Sequence, residues 1–229
     1  MDGLLLTPIT YILIAINVAT HYYFAKKDYS LVDKLKFSPY RVARFPEERT
    51  RFITNGFVHA NDMHLLVNMF VLWMFGTTVE SLFVGQAFGS AIGRIFYLIL
   101  YFAAIVIACI PAYVKHKNNP NYASVGASGA TSAVVMAFVL FNPWAMLLIF
   151  FIIPMPAIVA GIAYLFYSSY MSNQNNDNIA HDAHLWGAVF GLLFTLVAVV
   201  LVSPPEILDT ILSRLMNPGT FIQQLKYMF

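Results

Sequence analysis

Charged residues are scarce in this chain, at 10% of its 229 residues, while hydrophobic residues make up 59%. A soluble domain carries roughly 25% charged residues, so the soluble globular class is excluded. The single cysteine, Cys109, has no partner for a disulfide within the chain. The net charge of +2, without a basic helix or stripe, argues against nucleic acid as a partner. What remains is a polytopic membrane protein in a lipid bilayer.

Apolar runs predict an all-α bundle of six transmembrane helices, formed as a single domain over residues 1–229. The predicted spans are residues 7–24, 63–83, 92–114, 128–141, 157–171 and 181–202. No cleavable signal peptide is predicted, because Asp2 stands where a basic region belongs and Lys26 and Lys27 follow the first run.

The fourth span is short, because 14 residues rise only about 21 Å at 1.5 Å each. The hydrocarbon core of a bilayer is roughly 30 Å thick. We therefore expect this helix to be enclosed by protein, with one end at a wet cavity. Residues 144–153, which Pro154-Met155-Pro156 separates from the fifth span, are interpreted as an interfacial or re-entrant piece.

Two further segments carry charge close to the membrane. The connection over residues 25–61 holds eight of the thirteen Lys and Arg together with several aromatic residues, which predicts a packed interfacial element. Glu80, near the end of the second span, needs a partner inside the membrane, and Arg94 is one candidate.

Polar residues recur near the N-terminal ends of the second, fourth and sixth spans. Because these three spans cross the bilayer in the same direction, His64, Ser128 and His184 are predicted at similar depth on one side. Serine becomes a nucleophile when a base lies within hydrogen-bond reach, and histidine is the usual base. Asp182 lies two residues from His184 and so does not share its helix face. These residues therefore predict a dyad of Ser128 and His184.

Residues that could support this dyad lie on the same helices. Asn68 follows His64 by four residues on one helix face, and both can donate hydrogen bonds to a developing oxyanion. The Ser128 N–H, at a helix start, points the same way. Small residues on the fourth and sixth spans, including Gly129, Gly187 and Gly191, would let the two helices approach closely.

Each of these features has an alternative interpretation. Ser128 could simply be a helix-capping residue, and Asn68 could form a hydrogen bond to a neighbouring helix. Ser124 and Ser132 are competing candidates for the nucleophile. A second class of site is a zinc centre formed by four histidines, namely His59, His64, His181 and His184. Because no HExxH motif and no well-placed general base accompany them, no metal and no cofactor is predicted.

Taken together, these motifs resemble the rhomboid family of intramembrane serine proteases from the first span to the sixth. The matching residues, in chain order, are Arg51, His59-Ala60-Asn61-Asp62-Met63-His64, Asn68, Gly76, Glu80, Gly126-Ala127-Ser128-Gly129, Ala183-His184, Gly187 and Gly191.

The resemblance implies a six-helix fold with Ser128 as nucleophile and His184 as base. It assigns the oxyanion site to His64, Asn68 and the Ser128 amide. Structural support is expected from seven residues, namely Arg51, His59, Glu80, Gly126, Gly129, Gly187 and Gly191. Two positions depart from the family: Thr50 replaces a frequent Trp, and Ser132 replaces a frequent aromatic residue that packs on the catalytic histidine.

The expected function is endopeptidase cleavage of single-pass membrane proteins. The alternatives are a non-catalytic member that binds transmembrane helices and a histidine-based, metal-dependent membrane hydrolase. The expected location is the cell (inner) membrane, with the active site facing outside. That orientation puts ten Lys and Arg outside and three inside, whereas the positive-inside rule favours the reverse.

Overall fold

A computed structural model describes residues 7–25, 29–149, 152–174 and 180–219. Asp2, Lys26, Lys27 and Lys226 lie outside these ranges, so the predictions about the N-terminus and the charge count rest partly on residues that are not described. Most of the predicted loop over residues 173–178 also lies outside them.

Helices account for most of the described chain, and their bounds follow the predicted spans closely. They are α1 (Pro8–Ala19, continued by a π-helical turn at Thr20–Ala25), α2 (Tyr29–Leu35), α3 (Pro39–Arg44), α4 (Arg51–Thr54), α5 (Asp62–Ala87), α6 (Ser90–His116), α7 (Ser128–Phe141), α8 (Ala157–Gln174), α9 (His181–Val202) and α10 (Pro205–Met216). Short 3₁₀ turns at Pro46–Thr50 and Asn55–Phe57 flank α4.

Within the described ranges, three helices are long and apolar enough to cross a membrane, namely α5, α6 and α9. Two shorter apolar helices, Ser128–Phe141 and Ala157–Ser172, lie beside them. The count of six spans therefore stays a prediction.

The prediction of an all-α chain is wrong for the piece before α8. Strand β1 (Met146–Ile149) pairs antiparallel with β2 (Ile153–Pro156), with Leu147 opposite Met155. Proline lacks the N–H that a helix interior or a central strand needs. The two prolines of β2 are tolerated because both strands of a two-stranded ribbon are edge strands.

Helix α7 lies in the middle of the molecule. Most of its side chains are buried, and it packs against α5, α6, α8 and α9. Its C-terminal end is capped by α10, where Arg214 Nη1 donates to the Phe141 carbonyl at 3.0 Å. The expectation that this short helix is enclosed by protein is therefore confirmed.

Glu80 does not pair with Arg94 as suggested, because its partner is the start of α1. The fully buried carboxylate accepts from the Ile9 and Thr10 amides at 3.0 and 2.8 Å and from the Thr10 hydroxyl at 2.7 Å. The first turn of a helix offers unsatisfied N–H groups and a positive dipole end, which suit a carboxylate. Glu80 thus fastens α1 to α5.

The connection between α1 and α5 is packed, as its aromatic residues predict. Arg51 is buried and donates to the carbonyls of Asp33 and Lys36 at 2.7 and 2.8 Å, and it also pairs with Glu48. The guanidinium groups of Arg51 and Arg41 hold the pKa of Glu48 below its usual value. Arg51 therefore anchors this segment although Thr50 precedes it.

Candidate active site

The loop before α7 is fixed by hydrogen bonds from its amides to a carbonyl and a side chain of the connection. The Gly126 amide donates to the Asn55 carbonyl at 2.9 Å, and the Ala127 amide donates to His59 Nε2 at 3.4 Å. Gly126 has φ +117°, and a Cβ there would lie 2.6 Å from the His64 ring. Only glycine adopts this conformation without strain and leaves room for the imidazole.

Ser128 is the first residue of α7, and Ala127 occupies the N-cap position. The helix-capping interpretation of this serine therefore does not describe its place in the chain. Of the competing serines, Ser124 is held in a backbone bridge to Phe37. Ser132 lies one turn into α7 and donates to the Ser128 carbonyl at 2.7 Å.

Helices α7 and α9 touch backbone to backbone at the level of Ser128. A Cβ on Gly187 would lie 2.2 Å from the Gly129 carbonyl oxygen, and one on Gly191 would lie 2.3 Å from Ala133 backbone atoms. On the α6 side, a Cβ on Gly129 would lie 2.5 Å from the Cβ of Ala108. Small residues at these positions hold the start of α7 against the start of α9, which carries His184.

A cavity of about 380 Å³ extends along α7 on its other side, between α5 and α8. Four of the predicted site residues line it, namely Ser128, His184, His64 and Asn68. Its remaining walls are mostly apolar, and Leu147 and Ile149 of the hairpin lie in its lining together with Val139 near the end of α7. The cavity thus runs from the polar start of α7 toward the hairpin.

The Asn68 side chain is oriented by two neighbours. Its Nδ2 donates to the His64 carbonyl at 2.8 Å, while its Oδ1 lies 3.2 Å from the Thr131 hydroxyl, whose one proton is shared with the Ser128 carbonyl at 3.1 Å. A primary amide has two N–H donors, and the hydrogen bonds within the described residues use one of them. Thr131, which was not predicted as a site residue, therefore contacts the Asn68 amide from α7 and shares its hydroxyl proton between that amide and the Ser128 carbonyl.

The His59 and His64 rings meet edge to face, with centroids 5.2 Å apart. His59 precedes the second span, and burial lowers its pKa to about 3, with smaller contributions from His64 and His21. A neutral His59 can accept the Ala127 amide at Nε2, which fits a structural role. Among the described residues, no three His, Cys, Asp or Glu side chains are arranged to hold a metal ion.

The Asp182 carboxylate makes contacts outside the proposed dyad and is not a third catalytic group. Its carboxylate accepts from the Ser172 hydroxyl and lies 3.8 Å from Lys115 Nζ. These contacts join the start of α9 to the ends of α6 and α8, so Asp182 serves helix packing at this end of the bundle.

Tyr164 on α8 is a second residue that the sequence analysis missed. Its ring stacks with the His184 ring, with centroids 6.3 Å apart and an interplanar angle of 23°, and its hydroxyl lies 2.6 Å from Ser132 Oγ. The only signal in the sequence was indirect. Ser132 stands where an aromatic residue is frequent, and a tyrosine on a neighbouring apolar span could replace it.

Comparison of the sequence with known proteins identifies relatives. The family model described as the Rhomboid domain matches residues 46–200. The chain is 33% identical over 144 residues to the Arabidopsis thaliana RHOMBOID-like protein 12, mitochondrial, which covers 59% of this chain and 42% of the relative. It is 30% identical over 152 residues to the Saccharomyces cerevisiae Rhomboid protein 1, mitochondrial, covering 62% and 40%.

A third relative is the Danio rerio Presenilin-associated rhomboid-like protein A, mitochondrial, at 31% identity over 159 residues, covering 65% of this chain and 38% of the relative. The matches thus cover less than half the length of each of these curated relatives. The predicted location in the cell (inner) membrane is wrong, because these relatives are mitochondrial by name. A multi-pass membrane protein remains supported by the three long apolar helices.

Proposed function

This chain belongs to the rhomboid family, and we propose that it is an intramembrane serine endopeptidase that cleaves transmembrane segments of single-pass membrane proteins. The observation that carries the proposal is the shared cavity. Ser128, His184, His64 and Asn68 come from three different helices and line one cavity of about 380 Å³. The names of the relatives favour a mitochondrial membrane as the location.

In the first half-reaction, Ser128 Oγ attacks the carbonyl carbon of the scissile peptide while His184 takes the hydroxyl proton. The negative charge that develops on the carbonyl oxygen is met by donors at the start of α7 and on α5, namely the Ser128 amide, the His64 ring and the second Asn68 N–H. The tetrahedral intermediate collapses, His184 returns the proton to the leaving amine, and an ester on Ser128 remains.

In the second half-reaction, water attacks the ester carbonyl while His184 again acts as the base. The same donors stabilise the second oxyanion, and the proton returns to Ser128 Oγ as the acid product leaves. The chemistry needs only the side chains and backbone amide already named, so no cofactor is proposed.

The apolar walls of the cavity suit a transmembrane substrate. An intact helix hides its carbonyl groups in hydrogen bonds, so a substrate must unwind locally before Ser128 can reach the scissile bond. We expect small or helix-breaking residues near the cleavage site. The unwound segment would lie along α7, between α5 and α8.

The test is cleavage of a model transmembrane substrate by the purified protein in detergent or proteoliposomes. We expect cleavage by the native protein, none by Ser128→Ala, and no loss when a chelator is added. Binding of the substrate without cleavage would favour a non-catalytic family member. Inactivation by the chelator, reversed by zinc, would favour a metal-dependent hydrolase.

A further inference from the structure

We propose that Tyr164 is a positioning residue for His184, held in place by Ser132, so that the orientation of the base depends on where α8 lies. This inference rests on the proposed function, since it assigns a role within the same site. Tyr164 is absent from the motifs that carry the family resemblance.

The Tyr164 ring contacts the ring of the proposed base. Its ring stacks with His184 at a centroid separation of 6.3 Å and an angle of 23°. Separations of about 4.5–7 Å with an offset are the favoured arrangement of aromatic pairs. Tyr164 also lines the same cavity as Ser128 and His184. The phenol ring therefore bounds the position of the imidazole on its α8 side.

The hydroxyl of Tyr164 is hydrogen-bonded to α7. It lies 2.6 Å from Ser132 Oγ, which donates to the Ser128 carbonyl at 2.7 Å. Since the Ser132 hydroxyl has one proton, which it gives to the Ser128 carbonyl, the tyrosine is the donor in the 2.6 Å contact. A chain of two hydrogen bonds thus links the first turn of α7 to the residue that stacks on the base.

The consequence is a coupling between three helices. The serine is on α7, its base is on α9, and the ring that restrains the base is on α8. An aromatic residue on α7 would restrain the histidine from the nucleophile's own helix. Here the restraint comes from α8, which forms one wall of the cavity, so displacement of that wall also releases the base.

The first measurement is the rate at which a fluorophosphonate labels Ser128, together with kcat and KM for a model transmembrane substrate. We expect Tyr164→Leu to lower the labelling rate and kcat about three- to tenfold, the size of one aromatic contact, with a smaller change in KM. Tyr164→Phe keeps the ring but loses its hydrogen bond to Ser132, so it should recover part of the loss. Tyr170→Leu, on the exposed face of the same helix, is the matched control and should behave as native.

A reciprocal exchange sharpens the test. The double variant Ser132→Tyr with Tyr164→Ser moves the aromatic ring from α8 to α7 while conserving the total side-chain volume. We expect it to label faster than Tyr164→Ser alone. Native labelling and kcat in Tyr164→Leu, or equal losses in Tyr164→Leu and Tyr170→Leu, would overturn the inference.

A second measurement does not depend on activity. The ring signals of His184 in isotope-labelled protein can be identified by their loss in His184→Gln. We expect them to move in Tyr164→Leu and to keep their native positions in Tyr170→Leu. Unchanged His184 signals in Tyr164→Leu would overturn the inference. A native protein that neither labels nor cleaves would instead refute the proposed function, while these signals still decide the role of Tyr164.

Discussion

The two flanks of α7 differ sharply in how closely they are packed. Toward α9 the backbones meet with no space for an added carbon at Gly187 and Gly191, and toward α6 an added carbon at Gly129 would collide with the Ala108 side chain. Toward α5 and α8 the same helix borders a cavity of about 380 Å³. Gly161 of α8 stands on this second flank, where an added Cβ would lie 3.4 Å from its nearest neighbours, which are side-chain atoms.

This difference indicates a division of labour around one short helix. The close flank fixes the helix of the proposed nucleophile against the helix of the proposed base, and small errors in that distance are costly for catalysis. The open flank leaves room for a substrate and carries the amide of Asn68. Tyr164 connects the two, because it stands on the open side and stacks on His184.

The largest effect is expected from adding one carbon on the close flank. A Cβ on Gly187 would lie 2.2 Å from the Gly129 carbonyl oxygen, and because backbone atoms cannot turn aside, the helices must separate. We expect Gly187→Ala to abolish cleavage and to lower the thermal unfolding midpoint strongly in detergent.

Gly161→Ala is the matched control on the open flank. Its neighbours Met136 and Val139 lie at ordinary contact distance, and alanine favours a helix over glycine by about 0.5–1 kcal/mol. We expect Gly161→Ala to be at least as stable as the native protein, with cleavage within a few-fold of native. Equal damage from the two substitutions would show that the flanks do not differ as described.

The next effect concerns the donors on the open flank. Loss of one oxyanion donor costs about 10²–10³-fold in kcat, so we expect a loss of that order for Asn68→Ala, and a similar one for His64→Ala. Asn17→Ala is a suitable control, because Asn17 is also a buried asparagine that donates to the carbonyl four residues earlier, at 2.8 Å.

Asn17 lies on α1, away from the cavity lining. We expect its replacement to lower stability while the folded fraction keeps native kcat. If Asn68→Ala instead loses stability and keeps its kcat, Asn68 is a packing residue and the oxyanion is bound elsewhere.

The smallest effect is the acid sensitivity of the loop that presents Ser128. The pKa of His59 is lowered from 6.5 to about 3, chiefly by burial. Well above pH 6.5 the imidazole is neutral in both the folded and the unfolded state, so its titration does not affect stability. As the pH falls toward 3, the unfolded chain takes up a proton that the folded chain refuses, so stability decreases by at most about 1.4 kcal/mol per pH unit.

His59→Gln removes this titration and keeps an oxygen that can accept the Ala127 amide. We expect its unfolding midpoint to fall less steeply than that of the native protein as the pH is lowered from about 7 to about 4.5, a range that includes the usual histidine pKa. Parallel slopes for the two proteins would show that His59 is accessible to protons in the folded state.

The bounds of α7 and the convergence of the site could be predicted, because both follow from local signals. Asn142-Pro143 ends an apolar run that starts at Ser128, and alternate spans must run in the same direction. The hairpin could not be predicted, because an apolar run such as residues 146–149 fits a strand, a re-entrant piece or a short helix equally well.

Contacts between helices that are distant in the chain could not be predicted from the sequence either. Glu80 needed a partner, but a cation on the next span was a poorer guess than the free N–H groups at the start of α1, which charge counting does not register. Tyr164 reaches Ser132 and His184 from another helix, and no spacing within one span encodes that contact. Orientation and location had even less local basis, and the predicted location was wrong.

The proposed dyad is tested most directly by the site at which a fluorophosphonate attaches to the purified native protein, located by mass spectrometry of its peptides. We expect a single adduct on Ser128, absent from Ser128→Ala and from a folded His184→Ala protein. An adduct on Ser124 or Ser132, or labelling that persists in Ser128→Ala, would contradict it.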